Sequence, residues 1–353
     1  MKQDIELLRD LVSIYSPSTQ EQAASTFLVE AMRARGYDDA FVDAAGNAVG
    51  IWGKGSREIV LLGHIDTVPG FLPVRQDGDI LYGRGSVDAK GPLACFAAAV
   101  SRLPKDANYR CVVIGAVEEE AASSKGARYV IDQYQPEYCI IGEPSQWQCI
   151  TLGYKGRLLI DYTLRSDMSH SAGQLPSAPE VAVDFWHNLL RRATVYNQER
   201  PVFDMLDVSL RAINSSSDGI QEVVTQRIGL RLPLGYDVER LTAQLREEAG
   251  LAELQFFGYE VPHRSDKHNP LVKAFLKGIR EAGGLPKLKV KTGTSDMNVV
   301  APHWRCPIVA YGPGDSSFDH TPHEQTSLQE YCRAIDILHR TLHLLIHSSA
   351  ATG

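Results

Sequence analysis

Three strand-length apolar runs in the first half of the chain each break off into side chains able to hold a metal ion. Ile59-Val60-Leu61-Leu62 ends in Gly63-His64-Ile65-Asp66, the run from Cys111 to Val117 ends in Glu118-Glu119-Glu120, and Cys139-Ile140-Ile141-Gly142 ends in Glu143. In an open α/β sheet, ligands collect at the carboxyl ends of the strands. Spacings this wide mean that the fold, not local sequence, gathers these groups. Sites rich in carboxylates with one or two His suit Zn²⁺ or a similar divalent ion, and several carboxylates together can hold two ions roughly 3.5–4 Å apart. The pattern therefore points to a two-metal hydrolase.

The segments between these runs are helical in pattern. Ile5, Leu8 and Val12 with Leu7, Leu11 and Ile14 recur at three- and four-residue steps before Pro17, and Ser18 with Glu21 reads as a capping box for a second helix closed by Gly36. A hairpin over 41–51, strand 57–63, helix 89–103, strand 110–117, helix 123–133 and strand 138–141 follow. Strands alternating with helices predict a mainly parallel sheet covered on both faces. After Gly153 the order becomes strand 156–164, helix 179–192, strands 205–213 and 225–232, helix 238–248 and strand 253–259, the β-α-β-β-α-β signature of a ferredoxin-like unit. From Asn269 the α/β pattern resumes with helix 270–282, strands 288–291 and 307–311, and a last helix over 327–347. The fold class is thus α/β, with catalytic-domain parts at 1–154 and 265–353 and an inserted lid at 155–264. A lid of this kind makes an interdomain cleft the natural substrate site.

A chain of 353 residues calls for two domains, and 44% hydrophobic with 22% charged residues supports a full core. The acidic start, Met1-Lys2-Gln3-Asp4-Ile5-Glu6, carries no secretory pattern, and no stretch approaches the ~20 apolar residues of a membrane span, so a cytoplasmic protein is expected. The six Cys have no CxxC spacing and lie mostly in apolar runs, as buried free thiols do. A net charge of −7 disfavours nucleic acid as a partner.

Each candidate ligand has a bland alternative. His64 and Asp66, two apart at a strand end, are either a core His with an acidic neighbour or an imidazole ligand with the partner that orients it. Asp88, in Gly85-Ser86-Val87-Asp88-Ala89-Lys90-Gly91, is either an N-cap or a ligand. Glu118-Glu119-Glu120 is a solvated loop or a cation-neutralised cluster in which a free carboxylate takes a proton from a metal-activated water. Glu143 is a strand-end acid or a surface charge. His320, in Asp319-His320-Thr321-Pro322-His323-Glu324, competes with His323.

In this order the motifs resemble the metallopeptidase family of acetylornithine deacetylase, succinyl-diaminopimelate desuccinylase and glutamate carboxypeptidases, over nearly the whole chain from Leu61 through Glu324. The resemblance implies a zinc aminopeptidase-like fold with a lid that also dimerises. It makes His64, Asp88, Glu120, Glu143 and His320 metal ligands, with Asp88 bridging two ions, Asp66 orienting His64, and Glu119 the general base. The triple Glu leaves a one-residue shift to Glu118/Glu119 open. Met168-Ser169-His170-Ser171-Ala172 resembles a segment whose His stabilises the oxyanion in a partner subunit's site. Arg231 matches a substrate-carboxylate position, and Thr294 with Ser295 lies in a substrate-cleft motif. Asp218 stands where relatives commonly carry Asn, a departure that favours a cationic group on the substrate.

Within the family, Gly85 to Leu93 and Lys291 to Asn298 look most like the hydrolases of carrier-protein lysine biosynthesis. That branch implies release of lysine or ornithine from the terminal Glu γ-carboxyl of an acidic amino-group carrier protein. Deacetylation of N-acetyl-ornithine or N-acetyl-lysine, dipeptidase activity, and a metal-free binding or scaffold role are the alternatives. Zn²⁺ is the expected ion, with Co²⁺ or Mn²⁺ accepted by the same ligands. Lys287, Lys289 and Lys291 alternate on one strand, as an edge-protecting face or as contacts to an acidic carrier.

Overall fold

The computed structural model describes residues 1–105, 108–168 and 175–348. The chain forms two compact units: Met1–Gly153 with Arg264–Val290 and the segment from Ser295 onward, and Tyr154–His263 with Lys291–Thr294. His170 lies outside the described residues.

The first unit is built on a mixed sheet. From one edge its strands run Asp39–Val42, Ala48–Trp52, Tyr109–Ala116, Arg57–His64, Tyr138–Gly142, Ile308–Ala310 and Cys149–Tyr154, with Lys287–Lys291 also paired to the last. Four neighbours, from Tyr109–Ala116 to Ile308–Ala310, are parallel, and the leading hairpin joins them antiparallel. Both faces are covered. Ile59 and Leu61 enter the large core with Leu28, Leu93, Phe96 and Leu338, while Val60 and Leu62 are fully buried between them on the other face. Two-sided burial is why this strand reads as an unbroken apolar run. Each such side chain contributes roughly 1.5–3 kcal/mol by leaving water.

Helix Lys90–Val100 is buried at every position, as expected of a helix that is apolar all round. It packs against helices Lys2–Ser13 and Leu328–Ser348 as well as the strands. Three glycines bring it close to the sheet. Gly115, Gly63 and Gly142 stand in register on adjacent strands, and a Cβ on them would meet Leu93 at 3.0 Å, Leu93 at 3.4 Å and Phe96 at 3.0 Å respectively. The row lies one residue before His64 and Glu143, so the helix that follows Asp88 is held tightly over the strand ends.

Several local expectations are overturned. Ser18 and Glu21 form no capping box: helix Gln22–Ala34 starts without a side-chain cap. The Ser18 hydroxyl instead donates to Asp66 (2.7 Å), and the Glu21 carboxylate accepts from the backbone N–H groups of Thr19 and Glu118 (2.8 and 3.1 Å). Tertiary partners outcompete the local motif. Asp88 is not an N-cap either, because Ala89 holds that position without a side-chain bond. The elements that went unread include strand Cys149–Tyr154 and helix Asp296–Trp304, the latter disguised by Pro302 near its end. A further three-stranded sheet joins Gln325–Ser327, Ile80–Tyr82 and Arg75–Asp77.

The second unit has the β-α-β-β-α-β order, with its strands arranged Asp207–Ser217, Gln221–Leu232, Gly156–Asp167, Glu253–Glu260 in one antiparallel sheet. Helices Ala178–Tyr196 and Val238–Glu248 share its core through Phe185, Leu189, Leu241 and Leu245. The two central-hairpin strands run further than their apolar residues indicate, ending in a polar arm that closes at Asp218. There the Asp218 carboxylate accepts from the N–H groups of Ile220 and Gln221 (2.8 Å each) beside Gly219 at φ +91°, as turn-forming Asp residues do. Among the described residues no helix is long and apolar enough to cross a membrane. The six Cys are free.

Candidate metal centre

The strand ends of the first unit bring His64, Asp88, Glu119, Glu120, Glu143 and His320 together. Three overlapping sets have ligand atoms within 4.8 Å of one another: His64, Asp88 and Glu143; Asp88, Glu120 and His320; His64, Glu119 and Glu120. Asp88 belongs to the first two, one oxygen toward each His: Oδ1 lies 3.2 Å from His64 Nε2 and Oδ2 lies 3.0 Å from His320 Nε2. His64 Nε2 is 4.0 Å from Glu143 Oε1, and His320 Nε2 is 2.9 Å from Glu120 Oε1.

The histidine geometry selects a tautomer. His64 Nδ1 donates to the Asp66 carbonyl at 3.0 Å, which leaves Nε2, facing two carboxylates, as the nitrogen that would give up its proton to bind an ion. That is the arrangement of a ligating imidazole held by its other nitrogen. The donor set fits divalent ions: bonds of 2.0–2.2 Å to N and O place neighbouring ligands about 3–3.5 Å apart, close to the separations seen here.

Electrostatics in the ion-free chain tell the same story. Burial and the neighbouring Glu143, Asp296 and Glu120 push the Glu119 carboxyl well above the usual range, against the pull of His64. Burial and Asp88 likewise raise Glu120. Burial opposes charge on His64, yet its bonds to Asp66 and Asp88 hold the imidazolium well above its usual range. Hydrogen bonds to Asp88 and Glu120 raise His320 to about 10. So many acids around two histidines call for positive charge.

The three Glu side chains differ in direction. Glu118, at φ +59°, turns its carboxylate away to the Ser123 hydroxyl (2.7 Å) and toward Lys125 (3.6 Å). Glu119 and Glu120 face the cluster, and their N–H groups both donate to the Asp66 carboxylate at 3.1 Å. Glu143 is buried, not a surface charge. His323 is in none of the three sets.

The remaining candidates are in none of the three sets. Arg231 Nη1 donates to the Thr294 hydroxyl at 2.8 Å within the second unit. Ser295 caps helix Asp296–Trp304, in a capping box with Asn298. Residues to which the sequence reading gave no part in the site also serve it. Ser18 and Glu21 brace the loops of Asp66 and Glu118, the Asn47 amide oxygen accepts from Val117 N–H at 3.0 Å, and buried Asp296 adds negative charge beside Glu119. Glu324, whose carboxylate accepts from the Val87 and Asp88 N–H groups (3.0 and 3.1 Å), had a legible signal, an acid four residues after a candidate His in a loop.

The chain belongs to the peptidase family M20/M25/M40, whose model matches residues 60–344, and it is a metal-dependent amide hydrolase. Its relatives narrow the comparison. It is 48% identical to the "[LysW]-lysine hydrolase" of Deinococcus radiodurans, covering 97% of this chain and 96% of that one. It is 32% identical to the "[LysW]-lysine/[LysW]-ornithine hydrolase" of Sulfurisphaera tokodaii over 92% of this chain and 90% of that one. Among solved structures, the M20 metallo-carboxypeptidase Sso-CP2 of Sulfolobus solfataricus superposes with a TM-score of 0.79 at 17% identity, covering 98% and 99% of the two chains. A dinuclear metal-binding peptidase of the M20 family from Bacillus subtilis superposes at 0.68 and 14% identity, covering 98% of both. These two likenesses bear on the fold.

Proposed function

We propose that this enzyme releases lysine, or ornithine, from the γ-carboxyl of the terminal Glu of an amino-group carrier protein. The observation that carries this reading is the 48% identity with the Deinococcus hydrolase across nearly all of both chains. We further propose two Zn²⁺ ions, one held by His64, Asp88 and Glu143 and the other by Asp88, Glu120 and His320, with Co²⁺ or Mn²⁺ as substitutes. When bound, such ions polarise an amide carbonyl and make water a stronger acid.

The rest is the work of side chains. Glu119 takes a proton from the attacking water and passes it to the leaving amine as the C–N bond breaks. A free carboxylate beside a metal-activated water is the group suited to that exchange. Asp66 keeps His64 and the Glu119-Glu120 backbone in place. Arg231 and Thr294 are proposed to contact the substrate, and His170 to stabilise the oxyanion across a homodimer. For Asp218 and Ser295, the turn and cap they build are their evident roles, and substitution tests whether they also touch substrate.

The test is a substrate panel on Zn²⁺-loaded enzyme: carrier conjugates of lysine and ornithine beside N-acetyl-lysine, N-acetyl-ornithine and a dipeptide. The conjugates should give the highest kcat/KM. Preference for an acetyl substrate would make the enzyme a deacetylase instead, and no turnover of any of them would end the hydrolase reading.

A further inference from the structure

Beyond the ligands, one buried carboxylate ties together the two loops that bring Asp88 and His320 to each other. Glu324 is 1% exposed. Its Oε1 accepts from the N–H groups of Val87 (3.0 Å) and Asp88 (3.1 Å), and its Oε2 accepts from Arg84 Nη1 (2.7 Å). Its own carbonyl accepts from Gly83 N–H at 3.2 Å. Arg84 is fixed in turn by the Gly70 carbonyl (3.2 Å). Strand Gln325–Ser327 then pairs with Ile80–Tyr82, so the clasp is continuous with a sheet. A carboxylate so deeply buried is retained only when its oxygens are satisfied. Every bond it accepts here comes from the segment that delivers Asp88.

His64 and Glu143 are placed without this clasp. His64 ends one parallel strand and Glu143 follows its neighbour, where Gly63 is in register with Gly142, so the sheet ladder sets their separation. His320 is different: it lies in a loop at φ +61° with its side chain half exposed, four residues before Glu324. We propose that Glu324, with Arg84, is a positioning residue that fixes the distance between Asp88 and His320 and so tunes the ion held by Asp88, Glu120 and His320. The ion held by His64, Asp88 and Glu143 depends on it far less. This inference rests on the two-ion reading above.

The experiment is a Zn²⁺ titration of the metal-stripped full chain against a competing chelator, for wild type, Glu324→Gln and Glu324→Asp, with thermal melts alongside. One of two sites should weaken by about 10–100-fold, the range for residues that orient metal ligands, while the other stays within about threefold. Adding Glu324→Gln to His320→Ala, which already lacks the affected site, should leave the remaining ion unchanged. Wild-type affinity at both sites, or equal weakening of both, overturns the inference. Should the Glu324 variants fail to fold, Arg84→Lys decides by the same criterion, with a smaller but equally one-sided loss expected. A wild-type chain that binds fewer than two ions would instead overturn the two-ion reading.

Discussion

Asp66 illustrates how much of the site depends on a residue outside the three ligand sets. Its carbonyl fixes the His64 tautomer, while its carboxylate accepts from Ser18 and from the N–H groups of Glu119 and Glu120. Asp66→Asn should therefore weaken metal binding or turnover about 10–100-fold, measured by chelator competition and initial rates. Glu119→Gln should do the opposite split: metal content unchanged, kcat down about 10²–10⁴-fold. Near-normal turnover in that variant would remove Glu119 from the chemistry. That His64, Asp88, Glu120, Glu143 and His320 gather in one place was legible because each follows a strand run or lies in a turn rich in Gly, Ser or Pro. The register within Glu118–Glu120 was not, because it depends on the left-handed backbone at Glu118, and nothing in three identical letters encodes a direction. Ser18 and Glu21 misled for the converse reason: their spacing satisfies a local rule that distant partners override.

At the scale of elements, the glycine row sets the distance between helix Lys90–Val100 and the sheet. A Cβ at position 142 would lie 2.9 Å from the Gly63 Cα and 3.0 Å from Phe96. Gly142→Ala should cost about 1–3 kcal/mol by overpacking, read from denaturant melts, and should also loosen metal binding by shifting the helix that follows Asp88. Helix Lys2–Ser13 is anchored differently, through Asp4, whose carboxylate meets the N-terminal amine, Arg35 and Arg102 at 2.8–3.0 Å. Burial works against that charge, but these partners hold the Asp4 carboxyl below its usual range. Its contribution is therefore present above about pH 4 and fades as acid protonates it. Asp4→Asn should lower stability by on the order of 2 kcal/mol at pH 7, between the values for exposed and buried pairs, with the gap to wild type closing as the pH falls below 3.8. The apolar strands and amphipathic helices were readable from periodicity. The polar arm around Asp218 and helix Asp296–Trp304 were not, because exposed strands lack an apolar stripe and a proline reads as a break.

For the molecule as a whole, ions bound to the folded chain alone must raise its stability, by about 2.7 kcal/mol at a hundredfold excess over Kd. Chelation should lower Tm accordingly, and a Tm indifferent to Zn²⁺ would argue against the site. Loading should also release protons. His320 carries its proton up to about pH 10 in the ion-free chain, and a ligating Nε2 cannot keep it. Apparent affinity should then climb with pH through the neutral range, by up to about tenfold per unit for one proton. Calorimetry in buffers of different ionisation heat would reveal it.

The ligands come from widely separated parts of the chain: His320 meets Glu120 across 200 residues, and Glu324 meets Asp88 across 236. During synthesis, therefore, the early strands emerge long before the segment that completes the constellation. A nascent or C-terminally truncated polypeptide has the acidic half of the cage without its last imidazole. If the proposed ligands are right, such a polypeptide should be inert, its chemistry starting only when the segment carrying His320 folds back onto the early strands.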